Sequence, residues 1–136
     1  MTKKYLNELT YDVIGAAIEV HKTIGRGFLE SVYQECMKEE LKHRKINFSS
    51  ELKVPIFYKT KQLDIDFRCD LLIENCLVVE LKSVSELNSI FEAQLLNYMN
   101  LLKIPKGILL NFNCFNIFKD EQKTMVNDFF KQLPES

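Results

Sequence analysis

No C-x-x-C pair occurs in this sequence. Its four cysteines, Cys36, Cys69, Cys76 and Cys114, are dispersed, and only two histidines, His21 and His43, could join them as ligands. Reduced, partly buried thiols are therefore expected, not disulfides and not a zinc or iron–sulfur site. Apolar runs approaching about 20 residues are absent, so no segment is expected to span a membrane. The opening residues Thr2, Lys3 and Lys4 are polar and lack the apolar stretch of a signal peptide. A cytoplasmic location is the default expectation. An excess of charge of either sign is missing too: the net charge is −1 and the sequence pI about 6.1. That excludes a general basic coat for nucleic acid, and any phosphate-binding surface has to be local. Internal repeats, linkers and low-complexity stretches are also lacking.

What is present is a chain of 136 residues with 46% hydrophobic content. That length and apolar fraction suit one globular domain over residues 1–136 with a sizeable core. Apolar residues at helical spacing predict a helix over residues 6–24, closed by Gly25, and a second over 28–44. Residues 48–58 alternate enough for a strand, with Pro55 marking an edge or a bulge. Lys59-Thr60-Lys61 turns the chain into a further strand over 63–73, and Leu77–Lys82 follows. A helix over 89–102 opens on a capping box from Ser89 to Glu92. A buried strand over 107–112, a small edge strand over 115–118 and a closing helix over 121–133 complete the reading. The order implies an α/β (α+β) fold with a central mixed sheet flanked by helices.

The most informative stretch is the pair of strands at 63–73 and 77–82. Their odd positions are apolar, so a shared buried face selects an even register with Glu74-Asn75-Cys76 as the turn. Asp70 then falls opposite Glu80, and Arg68 opposite Lys82. Like charges facing each other at cross-strand distance are destabilising. A divalent cation between the two carboxylates would resolve that. Hard oxygen ligands suit Mg²⁺ or Mn²⁺. Lys82 lies two residues after Glu80 and points to the same side. There an ammonium could orient a water or offset phosphoryl charge. A surface ion-pair ladder is the plainer explanation of these four residues, but it sits poorly with a register that sets like against like.

Other positions are less telling alone. Gln94 and Tyr98 share a face of the third helix; they read equally as a partly exposed amide beside a packing tyrosine. Glu30 and Tyr33 share a face of the second helix, where Glu30 also suits the amino-terminal dipole. His21 reads as a satisfied structural histidine.

Together these residues resemble a known family. Gly27-Phe28-Leu29-Glu30-Ser31-Val32-Tyr33 is similar to the signature of the GxxExxY proteins, a group of the PD-(D/E)XK nuclease superfamily. His21-Lys22, Arg68-Cys69-Asp70, Glu80-Leu81-Lys82, Gln94 with Tyr98, and Leu110-Asn111-Phe112 follow in family order. The resemblance implies a nuclease-like core and a hydrolase acting on DNA, with RNA as the less favoured substrate. It implies Asp70 and Glu80 as metal ligands joined by Glu30, Lys82 as the motif lysine, and Mg²⁺ or Mn²⁺ as cofactor. Gln94, Tyr98 and Arg68 would contact substrate, with Gln94 also in the catalytic set. Cys69 stands where the superfamily's name has proline, at a position that supplies no ligand. The alternative is an inactive nuclease-fold module that binds nucleic acid or a partner protein. No membrane partner is expected, and the oligomeric state is left open, a homodimer included.

Overall fold

The computed structural model describes residues 1–117 and 121–136. The amino-terminal helix α1 (Lys3–Ile24) begins earlier than its apolar stripe, because Thr2 caps it by accepting a hydrogen bond from the Tyr5 amide at 3.0 Å. Gly25, with φ of 77°, closes it. Helix α2 (Glu30–His43) starts two residues later than expected, leaving Phe28 and Leu29 in the connecting loop.

Strand β1 (Phe48–Lys53) ends before Pro55, so the strand expected over 48–58 is broken. The chain then forms a separate small hairpin, β2 (Phe57–Tyr58) and β3 (Lys61–Gln62). Residues 63–67 do not enter the sheet, and β4 (Arg68–Ile73) is only the second half of the run expected over 63–73. Glu74 and Asn75 both take positive φ in the turn to β5 (Leu77–Lys82). Helix α3 (Ser89–Leu102) is capped by Asn88, whose side chain accepts from the Ile90 amide. The cap therefore lies one residue before the expected Ser89. Crossing over α3, the chain enters β6 (Lys106–Asn111), which runs parallel to β5.

The closing helix expected over 121–133 is corrected. Residues Gln122–Val126 form strand β7, antiparallel to β6, and only Asp128–Lys131 are helical, as α4. Lying against β6, this segment pairs amides that would otherwise be an open sheet edge, and Asn127 ends it by capping α4 through the Phe130 amide. The edge strand expected over 115–118 is not formed at Phe115, which lies in a bend, and Phe118 lies outside the described residues.

The main sheet has the order β1-β4-β5-β6-β7, mixed as expected. One buried face was expected; both are buried. Leu71, Ile73, Leu77, Val79 and Leu81 pack against α1 and α2 through Val13, Ala17, Tyr33 and Met37. Leu72, Val78 and Leu109 pack against Leu95 and Met99 of α3, joined by Cys69. The continuous apolar character of β5 reflects a strand covered on two sides.

Neutral polar side chains anchor the connections. Asn111, fully buried, accepts from the Val84 amide and donates to the Val84 carbonyl, each at 3.0 Å. Asn127 donates to the carbonyl of Ile104 and to the side chain of Asn100. Tyr33 stacks on Phe112 at 4.4 Å, and its hydroxyl donates to Gly25 and accepts from the Phe28 amide.

Helix α3 lies very close to β6 where Gly107 presents no side chain. A Cβ there would sit 2.8 Å from both Leu95 Cδ1 and Met99 Sδ, two fully buried side chains. Gly107→Ala should therefore cost about 1–3 kcal/mol through overpacking, read as a lowered midpoint in equilibrium denaturation, and Gly107→Val should cost more.

Candidate active site

The β4–β5 pairing couples Ile73 with Leu77, Leu72 with Val78 and Leu71 with Val79. This is the even register expected from the sequence, and one step further along it stands Asp70 opposite Glu80. There the regular backbone ladder stops and side chains replace it. The Leu81 amide donates to Asp70 Oδ2 at 2.8 Å, and the Asp70 amide donates to Glu80 Oε1 at 3.3 Å. Each carboxylate is thus held by an amide of the opposite strand. Pairing on the other side of β4 is interrupted at the same level. Ser50 pairs with Leu71 and Leu52 with Cys69, while Glu51 between them takes a φ of 51°.

Glu80 is 5% exposed. Burial, then the hydrogen bond and like charge of Asp70, push its carboxyl up to about 10; the Asp70 amide and Lys82 act in the opposite direction. Neighbouring groups register the same concentration of negative charge. The buried Cys69 thiol is pushed up to about 12 by burial, then by Glu80 and Asp70, which makes it a poor nucleophile. The Tyr98 hydroxyl is also raised, by burial and then by the same two acids.

Lys82 holds its ammonium 4.8 Å from the centre of the Phe91 ring, in the first turn of α3. Tyr98 stacks on Phe67 with ring centres 4.6 Å apart. Gln94 is exposed and lies between Phe91 and Tyr98 on that helix. The strand-borne lysine and acids therefore share a side of the sheet with the helix-borne glutamine and tyrosine.

Glu30 and Arg68 are placed differently. Glu30, the first residue of α2, is exposed, and among the described residues no three His, Cys, Asp or Glu side chains cluster closely enough to cage an ion. Its connection to the site is indirect. Gln34, one turn on, reaches the Asp70 carbonyl at 3.5 Å and Glu51 at 3.0 Å, and the Ser83 hydroxyl beyond β5 donates to the Phe28 carbonyl at 2.7 Å. Arg68 is not set against Lys82 as the extended register implied. It turns to the β1 side, where it pairs with Asp66 at 2.6 Å and donates to the Glu51 carbonyl at 3.2 Å. The strand pairing with β5 has ended before it, so no like-charge pair forms.

Sequence reasoning missed Gln34, Glu51 and Phe91. Gln34 and Phe91 carried a usable signal, lying four residues after Glu30 and three before Gln94 on the same helical faces. Glu51 carried none, because its role depends on a backbone conformation unusual for glutamate. His21 meets the structural expectation, its Nε2 lying 2.7 Å from the Cys114 carbonyl.

A family model described as the PD-(D/E)XK nuclease superfamily matches residues 7–125. The chain belongs to that superfamily. Comparison with curated proteins and with solved structures finds no match. The matched span contains both acids, Lys82, Glu30, Gln94 and Tyr98. PD-(D/E)XK nucleases generally use divalent metals, and the donor set fits such an ion. Two carboxylates supply hard oxygens in a buried spot whose negative charge is felt by every titrating neighbour named above. Further coordination positions can be met by water or substrate oxygens.

Neutralising either acid should stabilise the metal-free protein. Asp70→Asn or Glu80→Gln removes the cost of keeping a buried carboxyl protonated beside a second acid, and should raise Tm by a few degrees or more near neutral pH. Because the Glu80 carboxyl is raised in the folded state, its contribution is greatest below the ordinary carboxylate range and is lost as pH rises toward about 10. The advantage of Glu80→Gln should accordingly grow from about pH 5 to about pH 9 in chelator-containing melts. A constant difference across that range would contradict the assignment.

Proposed function

We propose that the protein is a nuclease of the GxxExxY type that hydrolyses phosphodiester bonds in DNA, with RNA as the less favoured substrate. One observation carries the proposal: the β4–β5 ladder opens where Asp70 and Glu80 meet, and the opposite strand's amides hold both carboxylates in place. A structural ion pair would set opposite charges there. Two acids held together by their own backbone suit a cationic ligand.

Asp70 and Glu80 would hold Mg²⁺ or Mn²⁺, with Glu30 reached through water. When bound, the ion lowers the pKa of a water and polarises the phosphoryl oxygens. The protein's own groups do the rest. Lys82 donates to the attacking water or to a non-bridging phosphate oxygen, and its contact with Phe91 limits the directions its ammonium can take. Gln94 offers an amide to the phosphate, and Tyr98 a neutral hydroxyl, kept protonated by burial and then by the acids beside it. Arg68 is a positioning residue here, since its guanidinium is engaged with Asp66 and with the Glu51 carbonyl next to Asp70. Within the signature, Gly27 adopts a φ of 100° and Tyr33 locks the loop, while Glu30 stands exposed at the start of α2.

The test is a cleavage assay on single-stranded, double-stranded and branched DNA with Mg²⁺ or Mn²⁺. Wild type should cut, and Asp70→Asn should abolish cutting without loss of fold. Lys82→Ala should lower turnover about 100-fold or more yet keep the metal-induced rise in Tm. Tyr98→Phe should lose at most about tenfold, the worth of one hydroxyl contact. Equal activity in wild type and Asp70→Asn would assign the signal to a contaminant. Absence of both cleavage and metal stabilisation would favour the binding-module alternative.

A further inference from the structure

The β2–β3 hairpin stands apart from the main sheet. Every residue from Phe57 to Gln62 is exposed, Tyr58 at 66% and Phe57 at 58%. Two-stranded hairpins without a covered face are marginal in water, so two large aromatics displayed on one call for a ligand. The register assigns them to different faces. Tyr58 pairs with Lys61, and Phe57 with Gln62. On the Tyr58 face, Lys59 adds its ammonium 5.7 Å from the tyrosine ring centre. The exposed Tyr58 ring therefore has one ammonium near it and a second lysine as its cross-strand partner.

Charge narrows the occupant. From Leu52 to Leu63 the chain has Lys53, Lys59 and Lys61 and no acid, although the whole protein has a net charge of −1. Among the described residues none of these three lysines enters an ion pair, unlike Lys38, Arg44 and Arg68. The hairpin is also rooted at the site. The Val54 amide donates to the Phe67 carbonyl at 2.7 Å, and Phe67 stacks on Tyr98, three residues before Asp70. Asp64 and Asp66 lie in this root rather than at the tip, and Asp66 is held by Arg68.

We propose that Tyr58, Lys59 and Lys61 form a grip for a single-stranded segment of nucleic acid. The tyrosine stacks on an unpaired base, and the two lysines take the flanking phosphates. A duplex keeps its bases stacked on one another and offers the ring no face. This inference rests on the nuclease reading and assigns it a substrate-holding arm outside the catalytic groups.

The test measures anisotropy of a labelled single-stranded oligonucleotide, and of its duplex, in chelator. Wild type, Asp70→Asn, Lys59→Gln/Lys61→Gln and Tyr58→Ala are compared, with thermal melts and light scattering as controls. The double lysine variant should bind the single strand about tenfold or more weakly. Its log–log salt slope should be shallower by about 1.4, two phosphate contacts at about 0.7 each. Tyr58→Ala should lose more affinity for the single strand than for the duplex, and Asp70→Asn, which takes a carboxylate away from the phosphate site, should bind no more weakly than wild type. If the double variant binds with unchanged affinity and salt slope while wild type still cleaves with metal, the grip is refuted and the nuclease reading stands. If the substitutions instead dissociate a dimer and leave DNA binding intact, the hairpin is a self-association surface and the grip is refuted. If wild type neither binds nor cuts any nucleic acid, both readings fall. The lysine changes remove charge at exposed positions and bury nothing new, so they report on binding even if Tyr58→Ala lowers Tm.

Discussion

The structure turns on a place where strand pairing gives way. Between β4 and β5 the regular ladder ends at Leu71 and Val79, and two carboxylates take the amides that the next rung would have used. This arrangement demands a scaffold that tolerates like charges side by side. The tolerance comes from the strands beyond the gap, apolar on both faces and packed against helices on either side. Burial of that kind contributes roughly 1.5–3 kcal/mol per large side chain. A handful of such residues outweighs the cost of burying the Glu80 carboxyl beside Asp70.

The same two-sided packing decides which residues can meet. Helix α3 lies low over β6 because Gly107 has no side chain, and it carries Phe91, Gln94 and Tyr98 above the strand that bears Glu80 and Lys82. Helix α2 approaches from the other face. It reaches the site near its amino-terminal end, through Gln34 on Asp70, and the loop before it does so through the Phe28–Ser83 contact. Residues far apart in sequence therefore converge where β5 ends.

Much of this was legible in the chain. The even register followed from period-two alternation and a three-residue turn, and it placed Asp70 opposite Glu80. The mixed sheet followed from the order of elements, and α1, α2 and α3 from their apolar stripes. Three things were not legible, each for a physical reason. Residues 122–126 carry apolar spacing that also fits a helix, and the open edge of β6 makes them a strand. Leu63–Phe67 alternates like a strand but forms no ladder, because Pro55 has diverted the chain and only the Leu63 amide and the Phe67 carbonyl meet it, at Ile56 and Val54. The direction of Arg68 depends on where strand pairing stops, which no local pattern encodes. At the site, the acids and the lysine could be read because their spacing is local. Gln34, Glu51 and Phe91 needed the third dimension.

The anchors that shape the surroundings are Asn111, Asn127 and Tyr33, a set of amides and a phenol. The loop after Lys82 and the loop before Glu30 are therefore tied down by uncharged side chains, while the Glu80 carboxyl between them is displaced from its ordinary range by burial and by Asp70. Mechanical support and electrostatic response are assigned to different atoms. The hydrogen bonds that hold the frame are made by side chains other than the two acids, so a substitution at Asp70 or Glu80 leaves the donors and acceptors of those bonds in place.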